Sequence, residues 1–130
     1  FSIKRNLPKT GIEIKIGAII YIMLLSPKII LEFDEKISLI DFRKADLNEL
    51  KQAILNSVSK SPQINSIDLQ QDMITKGFTI QIKKFMQSNY PSRLDLDLND
   101  INDEKVKKIF QELLDLVDIR KISFSENNQN

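Results

Sequence analysis

Residues 13–27 read EIKIGAIIYIMLLSP, and this stretch decides the fold. Ile12, Ile16, Ile19, Ile20, Met23 and Leu24 recur at helical spacing, and Ile22 and Leu25 fill the opposite side. A helix that is apolar nearly all round is a buried one. The run from Ile16 to Leu25 is too short for a bilayer, which takes about 20 residues. It also lacks a small-residue cleavage site. Ser26-Pro27 reads instead as a stop and restart, with proline at a first helical position where its missing N–H costs nothing. The expectation is a central helix in a soluble, cytoplasmic protein that does not engage a membrane.

The segments that follow supply the partners this helix needs. Ile29, Ile30, Phe33, Ile37 and Ile40 keep a three-to-four residue rhythm, which predicts one or two short helices over 27–40. Residues 46–60 give the cleanest helix. Asp46 and Glu49 suggest a variant capping box at its start, Leu47, Leu50, Ile54 and Val58 its buried stripe, and Ser61-Pro62 its end. A further helix follows Asn65 or Ser66, with Ile67, Leu69, Met73 and Ile74 as its apolar positions. Gly77 stands where a left-handed C-terminal residue belongs. Residues 78–87 (FTIQIKKFMQ) fit either period: Phe78, Ile80 and Ile82 alternate like a strand, whereas Phe78, Ile82, Phe85 and Met86 repeat like a helix. Helix is preferred, because the chain offers no convincing partner strand.

Residues 88–101 contain Pro91 and read as a connection. The last element starts near Asn102, with Val106, Ile109, Phe110, Leu113, Leu116 and Val117 as a wide apolar stripe. Asp103 and Glu104 at its start and Arg120-Lys121 near its end suit the helix dipole. No repeat at a solenoid period is present. The predicted fold is therefore all-α: a compact multi-helix bundle over residues 11–122 that ends in a longer amphipathic helix. A lead-in, 1–10, precedes it, and a polar tail expected to be disordered, 123–130, follows it.

Composition narrows the chemistry. The chain has 130 residues, 42% hydrophobic and 28% charged, with no cysteine and no histidine. One domain is the default at this length. There is no disulfide, thiolate nucleophile, imidazole base or imidazole metal ligand. Its first residue is Phe1 rather than Met, which suggests an excised domain or a processed product. Isoleucine, lysine and asparagine abound while alanine occurs only at 18, 45 and 53, the mark of an AT-rich genome. β-branched content then overstates strand propensity, so periodicity decides. Net charge is +1, which argues against a nucleic-acid surface. Residues 1–60 carry 10 basic and 7 acidic groups and residues 91–130 carry 6 and 9, a C-terminal balance that suits a protein partner better than phosphate.

Three clusters invite chemistry. Asp95-Leu-Asp97-Leu-Asn99-Asp100 resembles a calcium loop, but Asp100 and Val106 stand where glycine and a bidentate glutamate belong. A solvated loop pinned by Leu94, Leu96 and Leu98, with Asp100 or Asn102 capping the last helix, is the simpler reading. Asp95, Asp97 and Glu104 with magnesium form the alternative of a carboxylate-dependent nuclease or hydrolase. Lys83-Lys84, Lys105, Lys107-Lys108 and Arg120-Lys121 are basic, yet no tryptophan accompanies them and Glu104, Glu112 and Asp115 dilute the charge, as on solvated helix faces. The glycines Gly11, Gly17 and Gly77 form no phosphate loop, and no serine sits in a nucleophile elbow. The last helix offers a surface rather than a reaction. Leu116, Ile119, Arg120, Ile122 and Phe124 are the residues expected to meet a partner once its inner stripe is packed.

Residues 13–27 resemble the opening helix of the C-terminal domain of bacterial (DnaG-type) DNA primases, where a glutamate leads an apolar helix ending in paired leucines before a proline. DLNELKQAIL, residues 46–55, is similar to the family's second signature, a helix that packs on the first after an acidic and aromatic stretch comparable to Phe33-Asp34-Glu35. The likeness covers roughly residues 11–87. Helicase N-terminal domains open similarly and share the bundle fold, and they or another helical adaptor are the alternative. The resemblance implies a non-catalytic domain without cofactor or metal, whose partner is the hexameric replicative DNA helicase. Primer synthesis belongs to the family's zinc-binding and Toprim domains. In the family a long helix leads into a helical hairpin that docks on the helicase collar. Here the last helix corresponds to the long one, and SFSENNQN follows where the hairpin is expected.

Overall fold

The computed structural model describes residues 11–87 and 103–118, and these form six helices and no strand. Their order is α1 Gly11–Leu25, α2 Lys28–Leu39, α3 Ala45–Lys60, α4 Ser66–Thr75, α5 Thr79–Met86 and α6 Asp103–Val117. The expected lead-in and tail lie outside the described residues.

α1 is the hub. Nine consecutive residues, Ile16 to Leu24, are buried. No single packing partner could do this, because a helix turns each face outward every 3.6 residues. α6, α5 and α4 all pack against α1. α2 packs on α3, α3 on α4 and α4 on α5, and α6 returns to lie against both α1 and α2. Burying an isoleucine or leucine contributes roughly 1.5–3 kcal/mol, so α1 alone supplies a large share of the core. Phe33 on α2 meets Phe110 on α6 edge to face, with ring centroids 5.4 Å apart. Lys107 reaches Glu32 at 3.2 Å across the same seam.

The junctions follow the local rules with some corrections. Pro27 adopts helical angles (φ −57°, ψ −28°), and the amides of Ile29 and Ile30 bond to the carbonyls of Ser26 and Pro27. Residues 28–39 are one helix rather than two. The Asn65 side chain caps α4 by accepting the Asp68 amide at 2.8 Å. The helix ends in a paired closure: Gly77 N–H donates to Ile74 O and Phe78 N–H to Met73 O, with Gly77 at φ +98°. Residues 79–86 are helical, because Ile82 and Phe85 turn inward together.

The capping box on α3 does not form. The helix starts one residue earlier, at Ala45, and Lys44 precedes it without a side-chain cap. Asp46 sits in the first turn and accepts its neighbour's amide, that of Leu47, at 2.9 Å. Asn48 holds the entry instead, as described below. Ile67, assigned to the α4 stripe, is exposed, because Leu69 and Met73 already fill the inner face of a short helix. On α6 the inner stripe is Val106, Phe110, Leu113, Leu114 and Val117; Leu116 points outward and Leu114 takes the buried place. α6 ends at Val117, and Arg120 and Lys121 lie outside the described residues.

Candidate docking surface

One end of the bundle holds a continuous network of polar contacts. The first turns of α1 and α3, the link between α2 and α3 (residues 40–44), and the C-terminal ends of α5 and α6 meet there. α6 therefore runs antiparallel to α1, and its first turn lies against the α1–α2 junction, where Val106 and Lys107 face Ser26 and Ile29.

The link is built around two cations. A helix leaves its last carbonyls without intrahelical donors. Lys51, only 7% exposed on α3, reaches back to the end of α2 and donates from Nζ to Ser38 O at 3.3 Å and to Ile40 O. The same ammonium lies 5.3 Å from the Phe42 ring centroid, a cation–π contact. Burial holds the Lys51 pKa below the usual lysine value, and the Asp41 charge opposes that shift. Arg43 does for α6 what Lys51 does for α2: its Nη2 donates to Val117 O at 3.0 Å, across 74 positions of sequence. Arg43 carries a left-handed φ of 72°, a conformation that costs a non-glycine residue about 1 kcal/mol.

Asp41 holds that turn. Its carboxylate accepts the Arg43 amide at 2.8 Å and the Asn48 side-chain amide at 2.9 Å, while its own carbonyl accepts from Arg43 Nη1 at 2.9 Å. Asn48 Oδ1 in turn accepts the Phe42 amide at 2.9 Å. These bonds, that from Asn48 first, hold the Asp41 carboxyl below its usual pKa. The assembly fixes the direction in which α6 leaves the bundle. Beside it opens a pocket of ≈ 360 Å³ with Ile12, Ile16, Phe42, Leu47 and Phe85 among its walls.

Of the residues assigned to a partner, Leu116 lies on α6 and is 52% exposed, one position before the carbonyl that Arg43 holds. Ile119, Arg120, Ile122 and Phe124 lie outside the described residues. So do Asp95, Asp97 and the capping positions Asp100 and Asn102, while Glu104 is exposed in the first turn of α6. Lys83, Lys84, Lys105 and Lys108 are exposed, and Lys107 is paired with Glu32. Among the described residues no three of Asp, Glu, His or Cys converge on a metal-sized site. None of the described helices is long and apolar enough to cross a membrane.

Arg43 and Lys51 were not singled out by sequence reasoning. Lys51 left a trace, since it falls between Leu50 and Ile54 on the apolar side of α3. A lysine there must find acceptors or lose its charge. Arg43 left none, because its acceptor is a backbone carbonyl on a distant helix. Compared with protein-family models, curated proteins and solved structures, the chain matches none.

Proposed function

We propose that this chain is a non-catalytic docking domain, the helicase-interaction region of a bacterial primase. It would work in the cytoplasm and tether primer synthesis to the replicative helicase ring. Tethering raises the effective concentration of the primase at newly unwound DNA without any new chemistry. The two segments that carry the primase resemblance, 13–27 and 46–55, fall on α1, the hub, and on α3, which packs mainly on α2 and α4 rather than directly on α1. The observation that carries the reading is α6. Its inner stripe is packed, yet Leu116 stays half exposed where Arg43 anchors the helix end. A partner that covered Leu116 would remove its apolar area from water, which supports the reading.

The test is direct association with the replicative DNA helicase of the same organism, measured by calorimetry and by the helicase ATPase rate. Saturable binding with an altered rate is expected, and Leu116→Glu should weaken it at least about tenfold, the effect of a lost anchor. No binding and no change in ATPase rate would overturn the reading.

A further inference from the structure

Two exposed helix faces of this chain carry one pattern with opposite charge. On α2, Leu31 is followed at three and four residues by Asp34 and Glu35, and at seven by Ser38. On α5, Ile80 is followed at the same intervals by Lys83, Lys84 and Gln87. Residues at these spacings share one helix face. Both leading residues are exposed, Leu31 by 46% and Ile80 by 81%, the latter the most exposed large apolar side chain among those described. The four charged residues are exposed and form no ion pair among the described residues.

The α2 face is also concave. Between α2 and α3 runs an open groove of ≈ 580 Å³, with Ile30 and Val58 in its floor, Leu31 and Leu55 along it, and Asp34 and Glu35 on the α2 side. Its lining holds two carboxylates and no cation. α5, by contrast, is a short ridge whose last turn is basic, and its Lys84 also edges the pocket beside the corner, 5.5 Å from the Phe85 ring centroid.

We propose that a second copy of this chain docks its α5 ridge into the α2–α3 groove of the first. Laid parallel, Ile80 meets Leu31 and Leu55 while Lys83 and Lys84 meet Asp34 and Glu35. The contact is head-to-tail, because groove and ridge are different surfaces of one molecule. Each added copy leaves a free groove and a free ridge, so the association continues into short oligomers or a ring. The ridge is only eight residues long, so the contact falls below the ~1,200 Å² of a stable interface and is weak, with a Kd of about 10 µM to about 1 mM. Exposed charge pairs are screened by salt, so the association weakens as ionic strength rises.

Sedimentation velocity over that concentration range, at low and high salt, tests this. The average mass should rise with concentration past that of a dimer and fall with salt. The double variants Asp34→Lys/Glu35→Lys and Lys83→Glu/Lys84→Glu should each weaken association at least about tenfold, since like charges then face each other. An equimolar mixture of the two should associate again, because each basic groove then finds an acidic ridge. Ile80→Gln, which leaves the charges alone, should weaken association too and serves if a double variant fails to fold. A wild-type chain monomeric up to about 1 mM overturns the proposal. So does association that neither reversal affects, or a mixture that stays monomeric.

Discussion

The middle of α1 and the corner from Ser38 to Lys51 hold the same fold by opposite means. From Ile16 to Leu24 the chain is buried throughout, with helices packed against it, and the Ser66 hydroxyl bonds the Leu24 carbonyl at its end. From Ser38 to Lys51 it turns sharply through Asp41, Phe42 and Arg43, and side chains bond to backbone carbonyls and amides. Apolar burial is non-directional, so it determines that α1 is inside without choosing how the other helices are turned. Hydrogen bonds are directional, and the corner orients α2, α3 and α6 toward one another. The core supplies stability and the corner supplies geometry.

The comparison is broken most severely by opening the core. Ile19→Ala should cost about 2–5 kcal/mol, because the void cannot close against so many neighbours. Urea unfolding would read this as a lower midpoint with an unchanged slope.

Lys51→Met is the matching cut in the corner. Methionine keeps the apolar stem but leaves the carbonyls of Ser38 and Ile40 without their ammonium donor, at about 1–3 kcal/mol. It also carries a pH signature. The folded Lys51 pKa lies below the unfolded value, so between the two the unfolded chain binds more protons. Stability of the wild type relative to Lys51→Met therefore rises as pH climbs through that alkaline window. Urea midpoints of both proteins from neutral to alkaline pH check it; a gap that narrows instead would show that the folded ammonium is not disfavoured by burial.

Gly77→Ala probes a junction that belongs to neither region. A side chain at φ +98° is strained although there is space for it, so a loss of about 1 kcal/mol is expected by thermal unfolding. Leu116→Glu gives the smallest change in stability, within about 0.5 kcal/mol, because the residue is half exposed. Normal unfolding together with lost helicase binding would separate the docking role from the folding role.

The core was the legible part of the sequence. Ile29, Ile30, Phe33, Ile37 and Ile40 were expected inside from spacing alone, and all are buried. Within residues 78–87 the helical period wins over the alternating one for the same reason, since Ile82 and Phe85 lie one turn apart on Thr79–Met86. Misplacements fell where a short helix offered more apolar residues than its partners could cover, as at Ile67, or where neighbouring leucines competed for one inner position, as at Leu114 and Leu116. At α3 the spacing of polar side chains near the helix start misleads, because no side chain caps the helix. Asp46 and Glu49 have capping spacing, but Asn48 bonds the preceding loop once Phe42 is folded inward.

By itself the sequence determined the helices, most of their inner positions and the burial of α1, because period and hydropathy are local and act through water on each segment separately. Only the tertiary structure decided that Lys51 closes α2, that Arg43 closes α6, and that the acidic face of α2 borders a groove while the basic face of α5 stands exposed. Those features depend on backbone groups and faces brought together across the chain. No local pattern encodes where a distant carbonyl will lie.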